Sequence, residues 1–124
     1  MSYKKLEIWQ LAREVVIETH QITLELPAFE LYEEGRQIRK STKSTKSNIV
    51  EGYGRRHYKQ EYIRFIIYAL ASNDESLDHL ENLLETGSFS NVVRYQKLHA
   101  LVTRLGIKLN HFLSAIEKIH QSPK

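Results

Sequence analysis

From Tyr95 to Ile119 an apolar position returns every three or four residues without a break: Tyr95, Leu98, Leu101/Val102, Leu105, Leu109, Phe112/Leu113, Ile116 and Ile119. This is the 3.6-residue period of an amphipathic helix, whereas a half-buried strand would alternate every second residue. A helix with one apolar face needs other elements to cover it, and the rest of the chain offers three more of the same kind. In the first, Leu6, Trp9, Ala12, Val16 and Thr19/His20 make a stripe that Ile8, Leu11, Val15 and Ile22 widen, and Pro27 ends the segment. Another runs from about Lys59 to Thr86 and is about 40 Å long at the α-helical rise. Its stripe is Tyr62, Phe65/Ile66, Ala69, Asn73, Ser76/Leu77, Leu80 and Leu83/Leu84. Gly87 breaks it, with Ser88 or Ser90 expected to cap the next helix.

The remaining segment, near Glu30 to Gly52, is the least obvious, because its centre reads "RKSTKSTKSNIVEGYGRR" at 39–56. Such a run resembles a flexible basic linker. Two patterns argue otherwise. Ile38, Thr42, Thr45 and Ile49 form one helical stripe, and Arg36, Arg39, Lys43 and Lys46 form a second. A tether has no reason to keep both, so the spacing predicts an amphipathic helix despite the poor helix propensity of Ser and Thr. Small residues at Ser41, Thr42, Ser44 and Thr45 allow close approach of a neighbour, and Gly52 is expected to cap the C-terminus. The fold predicted is a single domain over residues 1–124, all-α, an antiparallel up-down-up-down four-helix bundle. Two prolines and five glycines in 124 residues fit that class better than a turn-rich β-fold.

No cysteine is present, which removes disulfides, thiolate zinc sites and thiol nucleophiles. The opening "MSYKKLEIWQLAREVV" interleaves charge with apolar residues, unlike a signal peptide, and no apolar run approaches the ~18 residues of a bilayer span. The expectation is a cytoplasmic protein with no membrane contact. Net charge is only +3, yet residues 36–64 hold nine basic and two acidic residues, while 65–87 hold five acidic and no basic ones. Such asymmetry speaks about partners rather than fold.

The pieces "LEIWQLA" at 6–12, "LP" at 26–27, "SNIVEGYGR" at 47–55, "EYIRFIIYALAS" at 61–72 and "DESLDHLENL" at 74–83 resemble a known family. It is the group of bacterial four-helix-bundle proteins encoded in intervening sequences of large-subunit ribosomal RNA genes, related to the accessory variability determinant of diversity-generating retroelements. The resemblance covers nearly the whole chain. It implies a bundle that assembles into a homo-oligomeric ring, often a pentamer, with positive charge on its surface and an association with RNA. Among the retroelement relatives it implies nucleic acid and a reverse transcriptase as partners. One departure is the middle of the second helix, apolar or Ala-rich in the family and polar here.

The candidate nucleic-acid-binding residues are Arg36, Arg39, Lys40, Lys43, Lys46, Arg55, Arg56, Lys59 and Arg64. Lys and Arg contacts to phosphate release condensed counterions and give affinity without sequence readout. Tyr53, Tyr58 and Tyr62 lie among them, placed to stack on unpaired bases of RNA or DNA. The alternative is a solvated face plus salt bridges within a structural ring, or a scaffold for a protein partner. Asn48, Glu51, Ser72 and Glu75 are expected to form a polar network that fixes helix register, rather than a pocket between the second and third helices. Trp9 and Tyr3 fit either the core or an interface anchor. Asp74, Glu75, Asp78 and His79 lack the Glu-x-x-His pairs of a di-metal bundle, so no metal is expected. The six histidines (His20, His57, His79, His99, His111, His120) are scattered, and no nucleophile elbow or phosphate loop appears. Neither catalysis nor a cofactor is expected.

Overall fold

The computed structural model describes residues 2–119; the terminal "HQSPK", expected to fray, and its His120 lie outside the described residues. A 3-10 turn at Tyr3–Lys5 leads into α1 (Glu7–Thr23). A single-turn α2 (Ala28–Leu31) follows, then α3 (Glu34–Gly54), α4 (Lys59–Glu85) and α5 (Val92–Glu117). Among the described residues there is no strand. The four long helices pack in chain order, α1 on α3, α3 on α4, α4 on α5, and α1 on α5 closes the square. The connections at residues 55–58 and 86–91 are far too short to return along a helix of about 40 Å, so α4 runs antiparallel to α3 and α5 antiparallel to α4.

The core is formed by Ile8, Leu11, Val15 and Ile22 of α1, Ile38 and Ile49 of α3, Ile66, Leu80 and Leu83 of α4, and Leu98, Val102, Leu105 and Leu109 of α5. On α1 the residues expected only to widen the stripe are its centre; Trp9 and Val16 sit half-buried at its edge, and His20 is exposed.

The Ser/Thr-rich segment is continuous helix. Its hydroxyls are absorbed instead of competing with the ladder. Thr42 and Thr45 donate back to the carbonyls of Arg39 and Ser41 at 3.1 Å each. Ser41 bonds Ser76 across the α3–α4 seam at 2.8 Å, and Ser44 bonds Ser72 at 2.9 Å. With small side chains on both sides the two backbones come close, and each buried hydroxyl has a partner.

Three boundaries differ from expectation. The segment near Glu30 is not one helix: Glu33 departs from helical backbone angles and separates α2 from α3. Gly52 is not a cap. The helix runs on to Gly54, and Gly52 lies buried against α4, where a Cβ would come within 3.2 Å of Phe65 Cβ. The left-handed glycine is Gly87, φ 76°, and the N-cap of α5 is Asn91, not Ser88 or Ser90: its side chain accepts the Arg94 N–H at 3.1 Å. Ser88 instead donates to the buried Glu30 carboxylate.

Candidate nucleic-acid interface

The nine candidate cations separate into two groups. Arg36, Lys40 and Lys43 are exposed and spaced by four and three residues, which puts them on one outward stripe of α3. None of them makes a hydrogen bond or ion pair among the described residues. This corrects the stripe read from the sequence, which took Arg39 and Lys46 in place of Lys40. Arg39 is half-buried and donates to the Leu31 carbonyl at 2.9 Å, closing the end of α2. Lys46 leans towards α1, its ammonium 5.5 Å from the centroid of the Trp9 ring.

The cations around the α3–α4 turn are committed elsewhere. Arg55 bridges the carboxylates of Glu51 and Glu61 at 3.2 Å each and lies 4.9 Å from the Phe65 ring centroid. Arg64 meets Glu61 at 3.4 Å. Arg56 stacks on Tyr53 at 4.1 Å and donates to its carbonyl. Lys59 reaches the carbonyls of Glu117 and Ile119, satisfying acceptors left open at the C-terminus of α5.

The tyrosines divide likewise. Tyr58 is exposed, but Tyr53 and Tyr62 are buried, and the Tyr62 ring packs edge-on to Phe112 with centroids 5.7 Å apart. Burial, helped by nearby Tyr53, pushes the Tyr62 hydroxyl up to about 12, against a smaller opposing pull from Arg56. Tyr53 and Tyr62 therefore present no face for base stacking.

Of the polar network, Asn48 and Ser72 are joined through Ser44, whose carbonyl accepts from Asn48 Nδ2 at 2.9 Å. Glu51 and Glu75 do not belong to it. Both are exposed, Glu51 being held by Arg55 and Glu75 bordering a shallow recess with Gln37 and Lys40. The partners are instead Ser41 and Ser76, both buried, and the half-buried Ser44. His79 turns from Glu75 to the Glu34 carboxylate.

Between α1 and α3 runs a groove of about 830 Å³. Trp9, Arg13 and Val16 line one side, Lys43, Ser47 and Val50 the other, and Tyr3 and Lys4 one end. Arg13 and Ser47 were not picked out from the sequence. The signal available was Trp9, Arg13 and Val16 at steps of four and three, an arginine inside an apolar stripe.

Fold and charge together define a small helical-bundle protein whose α3 carries an unneutralised basic face among the described residues. The chain belongs to the 23S rRNA-intervening sequence protein family, whose model matches residues 4–111. It is also similar in structure to a protein of unknown function from the S23 ribosomal protein family of Bacteroides thetaiotaomicron, with a TM-score of 0.64 and 17% identity over 84% of this chain and 98% of that one. At that identity the likeness bears on the fold alone. No curated protein matches the chain.

Among the described residues no helix is long and apolar enough to cross a membrane.

Proposed function

We propose that this protein is a non-catalytic nucleic-acid-binding bundle that holds RNA, or DNA, by its phosphates through the outward face of α3. The observation that carries this reading is that Arg36, Lys40 and Lys43 stand exposed on one stripe with no carboxylate partner among the described residues. Elsewhere Arg55, Arg64, Arg94, Lys97, Arg104 and Lys108 each meet a glutamate. An unneutralised row of cations keeps its field for a polyanion outside the molecule. Membership of a family defined by an rRNA intervening sequence agrees with RNA as that polyanion. As a cytoplasmic homo-oligomeric ring, a pentamer for instance, the protein would repeat the face and let weak contacts add by avidity. Exposed Ile67, Tyr68 and Ile107 on α4 and α5 supply apolar surface for such contacts between copies.

The test is fluorescence anisotropy of a labelled RNA across a salt series, beside light-scattering mass determination of nuclease-treated protein. Binding through Z phosphates gives a log–log slope of about −0.7Z to −0.9Z. A stable ring with no affinity for RNA at low salt would overturn this reading in favour of a scaffold for a protein partner.

A further inference from the structure

The groove between α1 and α3 adds something that phosphate contact alone does not need. Its lining combines basic side chains with two aromatic rings. Lys4, Arg13, Lys43 and Lys46 line it against a single carboxylate, Glu51, which is already held by Arg55 at 3.2 Å. At the Tyr3 end the rings of Tyr3 and Trp9 meet edge to face at 63° with centroids 5.6 Å apart, a T-shaped corner. The Lys46 ammonium occupies the position over the Trp9 face. The indole Nε1–H is buried and meets no hydrogen-bond acceptor among the described residues, a donor left unmatched where proteins ordinarily satisfy them. The volume, about 830 Å³, is that of small-molecule sites, ~300–1,000 Å³.

We infer that this groove receives one unpaired nucleotide of a bound strand, its base stacked on Trp9 in the Tyr3 corner and its phosphates on Arg13 and Lys43. Lys46 leaves the ring as the base arrives and joins the phosphate contacts. The inference rests on the phosphate-binding reading above, since Lys43 belongs both to the α3 stripe and to the rim of the groove. It goes further by selecting the class of nucleic acid. A paired base cannot leave its stack to enter a recess, so duplex reaches only the rim, and single-stranded segments are preferred.

Trp9 is the only tryptophan, so intrinsic fluorescence reports on the site directly. The experiment titrates the intact protein with a short labelled single-stranded RNA, the same RNA annealed to its complement, and a free nucleoside monophosphate. Label anisotropy and Trp9 emission are followed together; for the unlabelled monophosphate, Trp9 emission alone. The expected result is quenching of Trp9 by the single strand in step with anisotropy, and binding of duplex without quenching. Trp9→Leu, which keeps apolar packing, should weaken single-strand binding roughly tenfold and leave duplex binding unchanged, while Trp9→Phe stays near the parent. Arg13→Glu, at an exposed position, should remove the quench without touching the fold. Anisotropy without quenching, or equal losses for both RNAs in Trp9→Leu, would overturn the stacking site and leave the α3 reading standing. Absence of any anisotropy change would overturn both. Quenching by free monophosphate at the concentration that suffices for the strand would reassign the groove to a free nucleotide.

Discussion

The outward face of α3, with three cations, and the region of the turn joining α3 to α4, with four, are both basic in sequence and opposite in structure. At the turn Arg55, Arg56, Lys59 and Arg64 spend their charge inside the molecule, on Glu51, Glu61, the Tyr53 ring and the C-terminal carbonyls of α5. On α3, Arg36, Lys40 and Lys43 have no such partners among the described residues. The difference does not come from the number of cations. It comes from what lies within reach of them. The turn carries glutamates at helical spacing from its arginines and abuts a helix terminus, whereas the α3 stripe is flanked by the neutral Gln37, Ser44 and Ser47, and Glu75, across the recess beside Lys40, makes no ion pair with it among the described residues. A cluster of positive charge in a sequence is thus a site only where the fold leaves it unneutralised.

The comparison breaks most visibly in binding. Replacing Arg36, Lys40 and Lys43 together by Ala should lower RNA affinity on the order of 100-fold at low salt and flatten the log–log salt slope by about 2–3, with helicity unchanged. The same anisotropy series run on Arg55→Ala with Arg64→Ala should keep the parent slope. If the two variants lose slope equally, the division between the regions is wrong.

The turn can be tested by pH instead. The Tyr62 hydroxyl, buried against Phe112, ionises only at about 12 in the folded chain. The unfolded chain releases that proton near the ordinary value of about 10. Between the two the unfolded state has lost a proton that the folded state keeps, so stability that is complete below about pH 10 falls as pH rises towards 12. The loss should reach on the order of 2 kcal/mol. Urea unfolding across that range measures it, and Tyr62→Phe should flatten the dependence while leaving neutral stability nearly unchanged. An equally steep fall in the variant would place the alkaline sensitivity elsewhere.

How much of this was legible beforehand follows from the length scale of each cause. The four helices were readable because each is set by a period of three and four that any window along it displays. Even the polar α3 was readable, since Ile38, Thr42, Thr45 and Ile49 keep the buried stripe. Assigning Arg39 and Lys46 to the outward stripe failed because both lie at its edge, where a long side chain turns to whatever is adjacent: the end of α2 for one, Trp9 for the other. The role of Lys59 was unreadable because its acceptors are 58 and 60 residues away along the chain. Glu51 and Glu75 suggest themselves as network members because carboxylates stand out in a sequence, while the serines that do the pairing, Ser41, Ser44 and Ser76, look like filler until α3 and α4 are brought together.

A smaller effect sharpens the structural side of the comparison. Gly52→Ala puts a methyl within 3.2 Å of Phe65 Cβ and 3.4 Å of Tyr62 Cδ1, both anchored on α4. Overpacking of this kind costs about 1–3 kcal/mol, and the better helix propensity of Ala returns about 1 of it. A net loss of about 1 kcal/mol in chemical denaturation, with RNA affinity intact, is expected. A stabilised variant would show that α4 yields easily and that the seam at the turn is looser than its geometry indicates.

The smallest effect is the most pointed. Arg55 has two carboxylates and a ring within contact, yet its side chain is 48% exposed. Ion pairs so open to water contribute about 0.2–1 kcal/mol, because solvent screens them and two long side chains must be ordered. Arg55→Ala alone should therefore lower stability by about 0.5 kcal/mol, an effect that added salt shrinks further. What distinguishes it from Lys43→Ala is the direction of each readout: Arg55→Ala moves the unfolding midpoint slightly and binding not at all, and Lys43→Ala does the reverse. Measuring both variants by both methods makes a double comparison in which either cross-term, binding lost at Arg55 or stability lost at Lys43, would dissolve the distinction between a cation that holds the fold and one kept for a partner.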